Sequence, residues 1–146
     1  MDGHCRCGRV RIRISAPPLL AMACHCTGCQ RMTGSAFSLS VAVPTPGFEV
    51  VEGETVIGGL HGGSRHEHCG YCLSWVFTRI EGMDAFVNVR TTMLENPDAF
   101  PPFIETMTSE KLSWATTPAR HGFETWPTME AFGDLMAEYR AAHVQA

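Results

Sequence analysis

The chain has 146 residues, of which 45% are hydrophobic and 18% charged, and this composition fits one folded domain of ordinary size. It excludes disordered and fibrous classes, and the net charge of -4 gives no general reason to expect a nucleic-acid partner. The longest apolar run, Pro17 to Cys24, is too short to span a bilayer, and no secretory signal begins the sequence. We therefore expect a single cytoplasmic domain over residues 1–146, without a membrane partner, in a compartment that keeps thiols reduced.

Alternating apolar and polar side chains predict several short strands. Val10, Ile12 and Ile14 alternate with arginines, which is typical of a half-buried strand. Frequent glycine and proline mark turns between the segments and favour short strands over long helices. We expect a mainly β fold of several antiparallel sheets, with further strands over 37–43, 48–51, 55–57, 75–80, 85–89 and 103–107.

Basic residues are concentrated near the start of the chain, where Asp2 is the sole acidic residue before position 32. This distribution has two interpretations. In the first, this basic segment attracts an anionic small molecule. In the second, which we favour, the arginines line the solvent-exposed face of a strand. The residues concerned are Arg6, Arg9, Arg11, Arg13 and Arg31.

The C-terminal segment has a helical period. Pro127 and Thr128 are a plausible start for an amphipathic helix over about 128–143. We expect this helix to pack on the sheet, and the alternative is a helix that forms a homodimer. The periodic apolar residues are Met129, Phe132, Leu135, Met136 and Tyr139.

Seven cysteines are an odd number, so a disulfide framework cannot use them all, and metal ligation or redox chemistry is left. Cys5 and Cys7 lie two apart, so in a strand both sulfurs point to one face. Cys69 and Cys72 are brought together by a turn in which Gly70 allows the bend. The two pairs supply four thiolates, which suits a closed tetrahedral zinc site.

Cys24, Cys26 and Cys29 combine both spacings in one short segment, which we call the trio. Three thiolates hold one zinc ion and leave a coordination position open for water or substrate, unless another protein ligand fills it. The alternatives are a Cys24–Cys29 or Cys26–Cys29 redox disulfide, another assortment of the cysteines, and free buried thiols. His66 and His68 are further candidates for a ligand or for a hydrogen bond to one, whereas His25 in an extended segment points away from the metal.

Three stretches resemble the glutathione-dependent formaldehyde-activating enzyme family, which also includes centromere protein V. They are His4–Val10 (HCRCGRV), Cys24–Phe37 (CHCTGCQRMTGSAF) and Cys69–Cys72 (CGYC). A weaker similarity is found at Thr108–Trp114. The resemblance covers about residues 3–115 and leaves the C-terminal helix outside. The family usually has glycine directly after the late C-x-x-C motif, whereas this chain has Leu73.

The resemblance implies one domain of several coiled β-sheets and two zinc ions. It assigns a structural zinc to Cys5, Cys7, Cys69 and Cys72, and a second, open zinc to Cys24, Cys26 and Cys29. It also implies a carbon–sulfur lyase that works on the adduct of glutathione with formaldehyde, although most members have no established substrate.

Zinc held by three thiolates is electron-rich, and it suits delivery of a bound thiolate better than polarisation of a carbonyl. We therefore expect a small thiol such as glutathione at the open position, with Arg31 meeting a substrate carboxylate or serving as an ordinary surface residue. The alternative hypothesis is a zinc-scaffolded binding module without catalysis. The sequence assigns no general acid or base; Glu67, Tyr71 and Glu105 are candidates without a role.

Overall fold

A computed structural model describes residues 1–143, and it is mainly β with several sheets and a C-terminal helix, as predicted. The two α-helices are α1 (Thr27–Thr33) and α2 (Met129–His143). The strands are β1 (Asp2–His4), β2 (Arg11–Ile14), β3 (Leu20–Cys24), β4 (Ser38–Pro44), β5 (Phe48–Glu52), β6 (Thr55–Gly58), β7 (Ser64–Cys69), β8 (Trp75–Ile80), β9 (Phe86–Arg90), β10 (Ile104–Thr106) and β11 (His121–Gly122).

The chain forms two compact units, and each contains one of the cysteine sets. The first unit consists of Met1–Pro18 and Val41–Phe100. The second consists of Leu19–Ser40 and the segment from Pro101 to the described end of the chain. The four paired cysteines therefore lie in the first unit, and the trio lies in the second.

A three-stranded antiparallel sheet in the order β1–β2–β5 begins the first unit. Along β2 the apolar side chains are buried and the arginines are exposed, as the alternation predicts. The Nε atom of Arg13 donates to a carboxylate oxygen of Asp2 at 3.0 Å, and the Nε atom of Arg11 lies 3.8 Å from a carboxylate oxygen of Glu52. The β2 arginines thus line a solvent-exposed strand face.

The same unit contains a second antiparallel arrangement, in the order β6–β7–β8–β9. Its core side is apolar, with Val76, Val87 and Val89 fully buried. The rings of Phe48 and Phe77 pack with their centroids 4.8 Å apart, which joins β5 to β8. The contact therefore joins the three-stranded sheet to the second antiparallel arrangement of this unit.

In the second unit, β10 pairs in parallel with both β3 and β11. These pairings differ from the antiparallel sheets that we expected. All five residues of β3 are buried, which is the pattern of a strand covered on both faces and is common in parallel pairing. The pairing places Thr106 of β10 beside Cys24, the last residue of β3.

Helix α2 packs on its own unit, as predicted. The hydroxyl oxygen of Thr128 accepts a hydrogen bond from the Ala131 amide at 3.2 Å and so caps the start of the helix. Leu135 and Tyr139 are buried, and the Tyr139 ring meets the ring of Phe103 edge-on at 5.4 Å between centroids. Neither described helix has the length and apolar character needed to cross a membrane.

Candidate metal centres

The paired cysteines of the first unit converge on one point. The sulfur atoms of Cys5, Cys7, Cys69 and Cys72 all lie within 4.8 Å of one another. The sulfur of Cys7 is 3.5 Å from that of Cys5 and 3.8 Å from that of Cys69. A tetrahedral zinc ion with Zn–S bonds of about 2.3 Å needs sulfurs roughly 3.8 Å apart. The four-cysteine cluster therefore has the size of a closed zinc site.

Two tight turns hold these sulfurs in place. In the first, the Gly8 amide donates to the Cys5 carbonyl at 2.9 Å, and Gly8 has a φ of 77°. In the second, the Leu73 amide donates to the Cys69 carbonyl at 3.0 Å, and Leu73 has a φ of 56°. The Val10 amide also donates to the Cys5 sulfur at 3.3 Å. Amide hydrogen bonds of this kind stabilise a sulfur that carries negative charge.

The four sulfurs do not ionise equally without a cation. Desolvation opposes ionisation of Cys72, but hydrogen bonds from the hydroxyl and amide of Ser74 lower its pKa to about 5. The Arg9 amide favours the thiolate of Cys7, yet desolvation and the neighbouring sulfurs outweigh it and raise the pKa of Cys7 to about 11. Because crowded thiolates repel each other, a divalent cation is what allows all four to lose their protons together.

The trio in the second unit is built from the end of a strand and the start of a helix. Cys24 ends β3 and is buried, whereas Cys26 is the residue that caps α1. The Cys26 sulfur accepts a hydrogen bond from the Cys29 amide at 3.3 Å. The three sulfur atoms lie within 4.8 Å of one another, which brings together the three residues that the sequence singles out.

The electrostatics of the trio also favour a cation. A hydrogen bond from the Cys29 thiol lowers the pKa of Cys24 to about 5, and the same contact raises the pKa of Cys29 far above its usual range. Desolvation raises the pKa of Cys26. Without a metal, Cys24 therefore ionises more readily than Cys26 or Cys29. Three thiolates at this spacing need a positive charge between them, and the donor set fits zinc.

Among residues 1–143, no histidine, carboxylate or further cysteine joins the three sulfurs at this distance. His66 and His68 lie in β7 and belong to neither cysteine cluster. Nδ1 of His66 is 3.0 Å from the hydroxyl of Thr78, and Nδ1 of His68 is 3.0 Å from the carbonyl of His66. The fourth position of the trio is therefore left without a described side-chain ligand.

Several residues that support the trio had no assigned role in the sequence. His25 is fully buried, and its Nε2 atom lies 2.9 Å from a carboxylate oxygen of Glu105. The carboxylate of Glu110 accepts hydrogen bonds from the amide and the hydroxyl of Thr27, at 3.2 and 2.9 Å. Glu110 lies within the stretch Thr108–Trp114 and Glu105 lies three residues before it, so the weaker similarity to the family pointed to this part of the chain.

The other candidates, Arg31, Tyr71 and Glu67, range from exposed to half-buried. Arg31 is exposed in the last turn of α1, two residues after Cys29. Tyr71 is exposed within the C-x-x-C turn, and the guanidinium carbon of Arg9 lies 3.5 Å from the centre of its ring. Glu67 lies in β7. None of these residues gains an acid or base role from its surroundings.

Comparison with known proteins adds family and fold. Residues 1–110 match the family described as glutathione-dependent formaldehyde-activating enzyme. The fold is similar to a crystal structure of a Rhodobacter sphaeroides protein from the Northeast Structural Genomics programme. That likeness has a TM-score of 0.55 at 22% identity and covers 65% of this chain and 88% of the other. None of the curated proteins matches the chain. Because the family match extends over more than half of the sequence, the chain belongs to the glutathione-dependent formaldehyde-activating enzyme family.

Proposed function

We propose that this protein is a zinc-dependent carbon–sulfur lyase that binds a small thiol, such as glutathione, and joins it to formaldehyde or a related electrophile. In this reaction a bond forms between sulfur and the carbonyl carbon, and the thiol proton ends on the carbonyl oxygen. The reverse direction releases both partners. Family membership supports the reaction class, and the trio supports the kind of site.

The observation that carries the proposal is the incomplete ligand set of the trio. Three sulfurs converge, and the described chain supplies no fourth side-chain ligand. A zinc ion bound there lowers the pKa of a thiol that takes the remaining position, so that the thiol reacts as a thiolate at neutral pH. The four-cysteine cluster, by contrast, is closed by its own sulfurs and is proposed to hold a purely structural zinc. We therefore expect two zinc ions per chain.

The residues around the trio have separate tasks in this proposal. Cys24, Cys26 and Cys29 hold the metal, and the hydroxyls of Thr106 and Ser38 stabilise the sulfurs of Cys24 and Cys29 by hydrogen bonds. We propose that the exposed Arg31 binds the carboxylate of the thiol. The three thiolates outweigh the charge of the metal, so a negatively charged thiol needs a positive group such as Arg31 close to the site. The free thiols are consistent with a reducing compartment such as the cytoplasm.

A second candidate is a zinc-scaffolded binding module without catalysis. The observation that favours it is the double use of Cys26, which supplies a sulfur to the trio and also caps α1. A metal at the trio then serves to join the end of β3 to the start of α1. In this case the fourth position is filled by water or by a binding partner instead of a reacting thiol.

Titration of the zinc-loaded, isotope-labelled protein with glutathione, followed by NMR, tests the proposed function. We expect millimolar glutathione to shift the amide signals of residues 24–31. S-Methylglutathione is the matched control, because it has the same charges and no thiol, and we expect it to leave the signals of residues 24–29 in place. Equal shifts with both ligands, or none with glutathione, would contradict thiol binding at the trio.

A further inference from the structure

His25 stands between two of the three candidate metal ligands, and its side chain is completely buried. The amide of His25 donates to the carbonyl of Thr106 at 3.0 Å, which continues the parallel pairing of β3 with β10. In extended backbone, neighbouring side chains point to opposite sides. Because the His25 side chain is held on one side of the segment, the side chains of Cys24 and Cys26 both point to the opposite side.

The anchor of His25 is Glu105, which is itself held in a fixed position. The Nζ atom of Lys111 lies 2.9 and 3.1 Å from the two carboxylate oxygens of Glu105. The hydroxyl of Thr117 donates to one of these oxygens at 2.8 Å, and Nε2 of His25 lies 2.9 Å from the same oxygen. Desolvation opposes ionisation of Glu105, but the hydrogen bonds from Lys111 and Thr117 keep its pKa below the usual range. Both carboxylate oxygens of Glu105 thus have at least one hydrogen-bond donor.

A second connection fixes the helical side of the trio. The side-chain nitrogen Nε2 of Gln30 donates to the backbone carbonyl of His25 at 2.7 Å and to that of Glu110 at 3.0 Å. Gln30 directly follows Cys29, so this bridge ties the third sulfur to the same short segment that carries Glu105 and Lys111. Between Glu105 and Lys111, Met107 adopts a φ of 56°. This left-handed conformation is strained for any residue other than glycine, and it turns the segment sharply.

We infer that Glu105, fixed by Lys111 and Thr117, is a positioning residue that sets the arrangement of the trio through His25. The inference rests on the proposed metal site of the trio and adds the residues that prepare it. Glu105 does not touch the metal in this account. It holds the backbone on either side of His25 in the arrangement that brings the sulfurs together, so less ordering is needed when the ion binds.

The test uses the full chain loaded with ¹¹³Cd, which gives one NMR resonance for each occupied cysteine site. In the Glu105→Gln variant we expect the trio resonance to shift and its cadmium affinity to fall by roughly tenfold to 100-fold, the range seen when outer residues of a metal site are changed. The resonance and affinity of the four-cysteine site are expected to stay as in the wild type. Glu124→Gln, which changes an exposed glutamate of the same unit, is the matched control.

Lys111→Met provides a second variant if Glu105→Gln does not fold, because Lys111 is partly exposed and touches the trio only through Glu105. We expect the same direction of change with a smaller amplitude, and Lys111→Arg should restore the wild-type spectrum. A loss of thermal stability with both resonances unmoved would show a merely structural role and overturn the inference. A wild-type protein with no trio resonance would overturn this inference and the proposed function together, whereas two resonances that no variant moves would overturn the inference alone.

Discussion

Gly8 and Leu73 adopt the same left-handed backbone conformation, and each directly follows the second cysteine of its pair. Glycine reaches this conformation without steric cost, but leucine does not. The Leu73 side chain is also 65% exposed, so burial does not compensate the strain. The geometry of the C-x-x-C turn thus determines the backbone at Leu73, and leucine in place of the family's glycine leaves the turn intact.

Leu73→Gly is therefore expected to stabilise the zinc-loaded protein. Removing the left-handed strain gains about 1–2 kcal/mol, and the greater freedom of glycine in the unfolded chain offsets roughly half of it. We expect the free energy of unfolding, measured by urea denaturation, to rise by about 0.5–1 kcal/mol. A decrease would contradict the argument that the left-handed backbone at Leu73 is strained.

Gly8→Ala is the reciprocal change in the other turn. A Cβ atom at Gly8 would meet no atom within 4 Å, so crowding does not contribute. The φ of 77° makes the substitution strained, and we expect the free energy of unfolding to fall by about 1 kcal/mol. Equal stability of wild type and variant would contradict the argument for both turns.

Tyr139 predicts a loss of stability at alkaline pH. Burial raises the pKa of Tyr139 to about 12 from a usual value of 10.0. A raised pKa in the folded state means that the stabilising contribution is complete below pH 10 and is lost as the pH rises from 10 to 12. Within this window the tyrosine lowers the free energy of unfolding by about 1.4 kcal/mol per pH unit.

Tyr139→Phe removes the ionisable group. The free energy of unfolding, measured by urea denaturation between pH 10 and 12, should therefore decline less steeply with pH in this variant. Parallel curves for the two proteins would contradict the assigned pKa.

Cys26→Ser separates the two tasks of Cys26. Serine is among the best helix-capping residues, so α1 should remain capped while the trio loses one sulfur. We expect the variant to keep its fold and one zinc ion, and to lose glutathione binding. Cys26→Ala should lose the cap as well and be about 1 kcal/mol less stable than the serine variant. Global unfolding of Cys26→Ser, seen by circular dichroism, would favour the zinc-scaffold alternative over the proposed reaction.

Local patterns predicted much of the fold, because strand alternation depends on neighbouring residues. The alternation around Ile12 and Ile14 indicated β2 and its exposed arginines, and the bounds predicted for β8 agree with the structure. The period of the apolar residues after Thr128 predicted α2. The family was likewise recognised from three short cysteine motifs, and the family comparison confirms it.

Helix α1 and the parallel pairing were missed for physical reasons. Helix α1 has seven residues and buries none of them, so it shows no apolar period. Its ends are set by the Cys26 sulfur and by the left-handed Gly34. The pairing of β3 with β10 joins segments about 80 residues apart, and no local pattern specifies such a partner.

The role of Glu105 was equally hidden. His25 and Glu105 are 80 positions apart, and Glu105 is one of 15 acidic residues in the chain. Only the fold selects the carboxylate that meets a buried imidazole. The sequence nevertheless showed that His25, placed between two candidate ligands, would point away from the metal, and the burial of its side chain against Glu105 agrees with that geometry.

We propose that the two sets of cysteines hold two zinc ions, one enclosed by four sulfurs and one bound by three. Zinc content per chain, measured by elemental analysis on protein purified without chelators, tests it most directly. We expect two zinc ions per chain in the wild type and one in Cys26→Ser. A wild-type protein that contains no zinc, or an equal zinc content in the two proteins, would contradict it.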